Sequence, residues 1–210
     1  GMAAPADGAR ASIDTHGKVE LVTGGASLGQ GFETVMAQIC ADTLGVDYRD
    51  VRVIHGQTDR IPYGIGAHAS RATVLTGNAV HATALNLREK ALSFASELLQ
   101  TPAKDLDIRD GEVVAKGAIG QSVSLAEIAR RVAPGSSFLR QRTPGLSAEG
   151  WYNTDRLAFA YGVHAVVVSI DRDTAAVSIE RYVIAQEVGR AVNPKLVKGQ
   201  IVGGCVQGIG

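Results

Sequence analysis

The chain has 210 residues, 45 % of them apolar, with 21 lysines and arginines against 21 aspartates and glutamates. That length sustains one sizeable core, and balanced charge with 5 % aromatics excludes a bulk basic field or a stacking platform for nucleic acid. No apolar run approaches the ~20 residues that a membrane helix requires, and the distant Cys40 and Cys205 read as small buried hydrophobes of a reducing compartment, without redox or metal duty.

Gly1-Met2 reads as a cloning remnant, and residues 1–8 are expected to form a loose lead with no signal peptide. Residues 9–14 and 18–23 predict two short strands around His16-Gly17. Gly29-Gln30-Gly31 then opens an amphipathic stretch. Phe32, Val35, Met36, Ile39, Cys40 and Leu44 recur at helical spacing on one face, and Gly45 supplies the stop. Two glycines beside a helix N-terminus leave bare backbone and unpaired N–H groups, suited to an anion or a polar cofactor edge. A tight strand-to-helix turn is the plainer alternative.

Residues 51–54 predict a strand that runs into a long loop, 55–69, with Pro62, Gly64 and Gly66. Ser70 is expected to cap the longest helix, whose apolar face is Val80, Ala84, Leu87, Ala91, Phe94 and Leu98. Ala69, Ser70 and Arg71 mark a second helix start, where N–H groups and the arginine fork suit phosphate. A plain N-cap with a surface arginine is the alternative. Thr101-Pro102 ends that helix, and 106–109 and 112–115 pair around Asp110-Gly111. Ser124 and Glu127 form a capping box ahead of a short helix ending near Val132. Residues 136–150 read as a polar, irregular surface connection.

The alternating runs 159–171 and 175–187 predict the longest hairpin, in which Val166, Val168 and Ile170 share one face, as do Val177, Ile179 and, less cleanly, the Tyr182 region. Asn193 caps a last helix with Pro194 at its first position. Gly199, Gly203, Gly204 and Gly208 would each weaken that helix by roughly 1 kcal/mol, so something is expected to pack closely against them. Gln200 and Gln207 offer carboxamides that both donate and accept. The order of hairpins and helices predicts an α+β two-layer sandwich of mixed sheets packed with helices.

Five stretches occur in one order: Gly29-Gln30-Gly31 before a helix, Leu44-Gly45-Val46, Pro62-x-Gly64-x-Gly66, Ala69-Ser70-Arg71, and Asn193-Pro194 leading into Gly199-Gln200-x-x-Gly203-Gly204 and Gln207-Gly208-x-Gly210. Together they resemble the molybdopterin-binding part of the xanthine dehydrogenase, aldehyde oxidase and aerobic carbon monoxide dehydrogenase large subunits, over nearly the whole chain. The resemblance implies a partial molybdopterin-binding domain over residues 9–210. It implies a molybdenum–molybdopterin cofactor, in many bacterial members the cytosine dinucleotide form. It also implies a cytoplasmic oxidoreductase that hydroxylates or dehydrogenates aldehydes, purines or N-heterocycles with water oxygen. Position by position, Gln30 would bond the cofactor near the metal, Gly29 and Gly31 would admit its approach, Ala69, Ser70 and Arg71 would hold the phosphate end, and Gln200 would contact the pterin side. The dithiolene holds molybdenum in this family, so no protein metal ligand is implied and the five histidines read as structural.

Ala67 and Ala72 depart from hydroxyl residues common in the family, which shifts phosphate binding towards N–H groups. The family's general-base glutamate follows the Gln-Gly-x-Gly turn and is expected just beyond Gly210, so no catalytic residue is assigned within the chain. The expected partners are the N-terminal half of the large subunit and the iron–sulfur and FAD subunits or domains, in an oligomeric parent enzyme. The expectation is therefore a fragment, inactive and without cofactor when isolated. The competing reading is a stand-alone binding or scaffold module of the same fold. A nucleotide-binding protein unrelated to molybdenum is disfavoured: no Lys-Ser/Thr follows a glycine loop, and Gly29–Gly31 lacks the third glycine of the dinucleotide fingerprint.

Overall fold

Strand β1, Ala6–Ile13, turns at His16-Gly17 into β2, Val19–Thr23, and the two pair antiparallel with Ile13 opposite Val19. These elements come from a computed structural model that describes residues 6–117, 120–156 and 158–210. Residues 1–5, with the expected cloning remnant, lie outside the described residues. The loose lead expected as far as Gly8 is corrected at its end: Ala6, Asp7 and Gly8 are ladder residues facing Asn153, Tyr152 and Trp151.

Strand β3, Val51–Ile54, runs parallel to β2, and β7, Leu146–Asn153, completes a mixed sheet of order β3-β2-β1-β7. Strand β7 corrects the expectation of an irregular connection over 136–150. Its sequence, LSAEGWYN, lacks the branched residues that mark strands. It needs small residues instead, because helix α2, Gly77–Leu99, lies directly on it: a Cβ at Gly150 would stand 2.5 Å from the Thr83 backbone nitrogen. Across the ladder Gly150 faces Ala9, whose carbonyl accepts from the Thr83 hydroxyl at 3.0 Å. Small residues on the sheet thus set how near the helix sits.

Helix α1, Phe32–Leu44, has the predicted bounds, and Gly45 closes it at φ 90°. Its buried residues Phe32, Met36, Cys40 and Leu44 meet Val80, Leu87 and Phe94 of α2 in one core with Ala9, Ala11, Ile13 and Leu21 of the sheet. Burial pushes the Cys40 thiol up to about 12, so it is an inert core side chain, as expected. A second sheet, β4 (Leu106–Arg109), β5 (Glu112–Ala115) and β6 (Ser122–Ser124), joins the same core through Leu106, Ile108 and Val113. The Asp110-Gly111 turn is left-handed at both residues, as its sequence demands. Helix α3, Leu125–Arg131, is capped by the Ser124 oxygen accepting from the Glu127 N–H at 3.1 Å.

The expected long hairpin is β8, Tyr161–Ile170, with β9, Val177–Glu187. A bulge explains how Ile179 and Tyr182, an odd number of residues apart, share a face: Arg181 pairs with Val167 but Ile179 with Val168, leaving Glu180 as the extra residue. Helix α4, Pro194–Ile209, begins as predicted, with the Asn193 side chain accepting from the Leu196 N–H at 3.1 Å. The close packing expected against its glycines is not there. Among the described residues, a Cβ on Gly199, Gly203, Gly204 or Gly208 would meet nothing within 4 Å. The helix meets α1 and the loop before it through its first turn and leaves the glycine stripe open.

Candidate functional site

Two glycine loops meet on the Asp7 end of the sheet. Loop 24–31 leaves β2 and loop 55–70 leaves β3. The Gly66 N–H donates to the Gly24 carbonyl at 3.4 Å, and a Cβ at Gly24 would stand 2.5 Å from the Tyr63 carbonyl oxygen. Such contact of backbone on backbone requires glycine at both Gly24 and Gly64. The third stretch arrives through α4: the Leu196 side chain covers Gly31, 2.6 Å from where a Cβ would be, and the Asn193 side-chain amide donates to Gln38 Oε1 at 3.1 Å. Gln200 follows one turn after Leu196 on the same stripe.

Gly29 and Gly31 both have left-handed backbone, at φ 91° and 81°, and nothing lies within 4 Å of a Cβ placed on Gly29. Gln30 between them is turned into its own loop. Its Nε2 donates to the Ala26 carbonyl at 3.0 Å, and its Oε1 accepts from the Leu28 N–H. The carboxamide therefore shapes the loop, and its second amide hydrogen remains for an added ligand.

Glu33 braces this loop from the first turn of α1. One carboxylate oxygen accepts from the Ser27 hydroxyl at 2.8 Å and the other lies 2.9 Å from His55 Nε2. Its own backbone N–H first, then His55 and Ser27, hold the carboxyl below its ordinary 4.5. A carboxyl depressed on folding stabilises the fold above its ordinary value and loses that contribution as pH falls through the depressed one. Wild type is therefore expected to exceed Glu33→Gln in stability at neutral pH, with the gap closing well below pH 4.5. Urea unfolding of both proteins across that range measures it, and a pH-independent gap would show that the carboxylate is not the brace.

Ala69 and Ser70 are exposed and carry positive φ, 49° and 56°. Left-handed conformation at two successive non-glycine residues costs on the order of 1–3 kcal/mol each and concentrates at ligand sites. It also corrects the capping expectation: Ser70 makes no cap, and the helix starts at Arg71, passing through a widened turn, Ala72–Thr76, before α2. Arg71 differs more. Its guanidinium is buried and faces inward, donating to Asp7 Oδ2 at 3.1 Å, the Gly66 carbonyl at 3.0 Å and the Ala6 carbonyl at 2.8 Å. The fork expected on a phosphate is spent on the protein itself. Among the described residues its Nε is a buried donor without a partner.

Sequence reasoning missed Asp7, assigned to the loose lead. It is fully buried and accepts from Arg71, the Thr76 hydroxyl and the Gly8 N–H. An aspartate at a strand start carries no local signal of this role.

Cys205 departs from expectation: it is half-buried, with Sγ 3.9 Å from His164 Nδ1, which in turn lies 2.8 Å from the Tyr182 hydroxyl. These three line an open groove between the β8–β9 hairpin and α4, together with Gln186, Gln200 and Gly204. Among the described residues no three His, Cys, Asp or Glu side chains converge to hold a metal ion. The bare glycine backbone, the exposed left-handed turn and the free amide hydrogen of Gln30 fit a polar, anionic guest.

The model of the molybdopterin cofactor-binding domain matches residues 1–210. The gamma subunit of the 6-hydroxypseudooxynicotine dehydrogenase complex of Paenarthrobacter nicotinovorans is 41 % identical, over 94 % of this chain and 25 % of its own length. Among solved structures, quinoline 2-oxidoreductase from Pseudomonas putida 86 superposes with a TM-score of 0.83 at 35 % identity, over 95 % of this chain and 25 % of its own. Reconstituted CO dehydrogenase from Oligotropha carboxidovorans does so with a TM-score of 0.85 at 31 % identity, over 94 % and 24 %. The chain thus spans about a quarter of the length of the relatives it matches.

Proposed function

We propose that this chain, which belongs to the molybdopterin cofactor-binding domain family, forms one wall of the cofactor site in the large subunit of a molybdenum hydroxylase-type oxidoreductase. The whole subunit then hydroxylates or dehydrogenates aldehydes, purines or N-heterocycles. Relatives named for a nicotine-derived compound and for quinoline favour N-heterocycles within that range. Bound molybdenum cofactor supplies a two-electron oxidation with oxygen from water. The residues of this chain hold and orient it.

In this reading Gly29 and Gly31 admit the cofactor edge, and Gln30 offers its remaining amide hydrogen beside them. Ala69 and Ser70 present backbone N–H groups to the phosphate end, and Gln200 faces the pterin side from α4. Arg71 serves from behind, by shaping the Gly66–Ser70 turn. In this reading the cofactor is the cytosine dinucleotide form. The open glycine stripe of α4 gives a cofactor or a further protein segment close access to helix backbone.

The partners follow from surface chemistry. Val163 is 70 % exposed, Ile170 62 % and Val206 64 %, and a two-stranded hairpin is marginal alone in water. The rest of the large subunit is the partner that covers these apolar faces, and iron–sulfur and FAD subunits complete the electron path. No helix among the described residues is long and apolar enough to cross a membrane, which accords with a cytoplasmic enzyme.

One observation supports the reading above the others: the family match spans the whole chain, and three stretches far apart in the sequence meet through Gly24, Gly66 and the Leu196–Gly31 contact. Metal analysis of the complete large subunit tests it. Wild type should hold close to one molybdenum per chain. Gln200→Ala should bind cofactor roughly 3- to 10-fold more weakly at unchanged melting temperature, as expected for one hydrogen bond, and Gln30→Ala should bind it more weakly still with a lowered melting temperature, because its bonds to Ala26 and Leu28 are lost as well. A wild-type subunit that takes up no molybdenum overturns the proposal.

A further inference from the structure

We propose that Asp7 is a positioning residue, the hub of a buried Asp7–Arg71–Thr76 clamp that holds both glycine loops in the shape a ligand meets. The carboxylate has no solvent exposure, and its own strand, the 71–76 turn and loop 24–31 present four groups to it. The Gly8 N–H donates to Oδ1 at 2.9 Å, Arg71 donates to Oδ2 at 3.1 Å, and the Thr76 hydroxyl donates to Oδ2 as well. On the fourth side lies Gly24, where a Cβ would stand 2.6 Å from Oδ1. Loop 24–31 therefore rests on the carboxylate itself, and Gly25 adjoins the Thr76 hydroxyl, 3.2 Å from where its Cβ would be.

Arg71 carries the same constraint to the second loop. One guanidinium nitrogen bonds both Asp7 and the Gly66 carbonyl, while the other bonds the Ala6 carbonyl. The strained pair Ala69-Ser70 sits between Gly66 and Arg71, with its two ends pinned. Strain of that kind persists only where the surroundings over-determine it. Thr76 closes the widened turn Ala72–Thr76, so the start of α2 is tied to the same carboxylate. The clamp lies behind the exposed N–H groups and does not touch the guest.

The role in loop geometry stands on these contacts, and its consequence for cofactor retention rests on the function proposed above. Hydrogen exchange on the complete large subunit tests the first part, with Asp7→Asn, Thr76→Val and Thr76→Ser. Amides of 66–71 and 24–31 should exchange at least tenfold faster in Thr76→Val, with α2 amides 79–95 near wild type; in Asp7→Asn, which leaves the buried Arg71 charge unpaired, the loop amides should accelerate at least tenfold and more than the α2 amides. Thr76→Ser, which keeps the hydroxyl, should restore the wild-type loop rate. Molybdenum retention after dialysis should fall in step with loop exchange across the series. Loop amides that stay protected in Thr76→Val, or that speed up only together with the α2 amides, would overturn the clamp. Should Asp7→Asn fail to fold, the two Thr76 variants decide alone. Accelerated loops in these variants, beside a wild-type protein that takes up no molybdenum, would refute the function and leave the clamp standing.

Discussion

Replacing Asp7 with alanine is expected to lower unfolding free energy by about 3–5 kcal/mol, the range for breaking a buried ion pair from one side. The size comes from what remains. Arg71 keeps the Gly66 and Ala6 carbonyls, but its charge would be buried without a counter-charge, and the hydroxyl of buried Thr76 would lose its acceptor. Desolvation makes an unpaired buried charge far costlier than the net worth of the pair. The double replacement Asp7→Leu with Arg71→Met removes both charges. It is expected to recover roughly 1–3 kcal/mol of the loss, because the Gly66 and Ala6 carbonyls are left without donors at about 1 kcal/mol each. Urea unfolding of the two variants and the wild type measures this. A double variant as unstable as Asp7→Ala would show that the charge is not the cause.

Gly150→Val is the second large effect. A Cβ there meets the Thr83 backbone nitrogen at 2.5 Å and its hydroxyl at 2.8 Å. Backbone in the middle of a helix cannot swing aside as a side-chain tip does, so α2 must lift from the sheet. Lifting it opens the Ala79–Ala95 face that carries the core and strains the bond from the Thr83 hydroxyl to the Ala9 carbonyl. Overpacking of this kind costs about 3 kcal/mol, a fall in melting temperature of roughly 6–12 °C for a chain of this size. Gly199→Ala is the control of opposite sign. Its Cβ meets nothing within 4 Å, and alanine in a helix gains about 1 kcal/mol over glycine. Thermal melts that rank Gly199→Ala below Gly150→Val would overturn this account of helix–sheet spacing.

The site was legible where chemistry is local. Gly29 and Gly31 announce backbone that other residues adopt only under strain, and the structure gives both positive φ. Asn193 and Pro194 announce a helix start and make one. Arg71 was legible as a residue of consequence but not in its direction. An arginine after Ala-Ser at a helix start looks like an anion fork, and only the presence of Asp7, 64 residues earlier, turns it inward. Strand β7 was illegible for a related reason. Its small residues fit an α2 backbone lying across them, and that helix is remote in sequence.

By itself the sequence determined the periodic elements: α1 with its glycine stop, the face of α2, the Asp110-Gly111 hairpin and the capped starts of α3 and α4. Each depends on neighbours within a few residues, through propensity, capping or the pitch of an apolar stripe. Tertiary structure alone decided which loops touch, which way Arg71 points and what Asp7 is for. Those outcomes depend on pairs far apart in the chain, brought together when burying the core of α1 and α2 against the sheet fixes where the loop ends must lie.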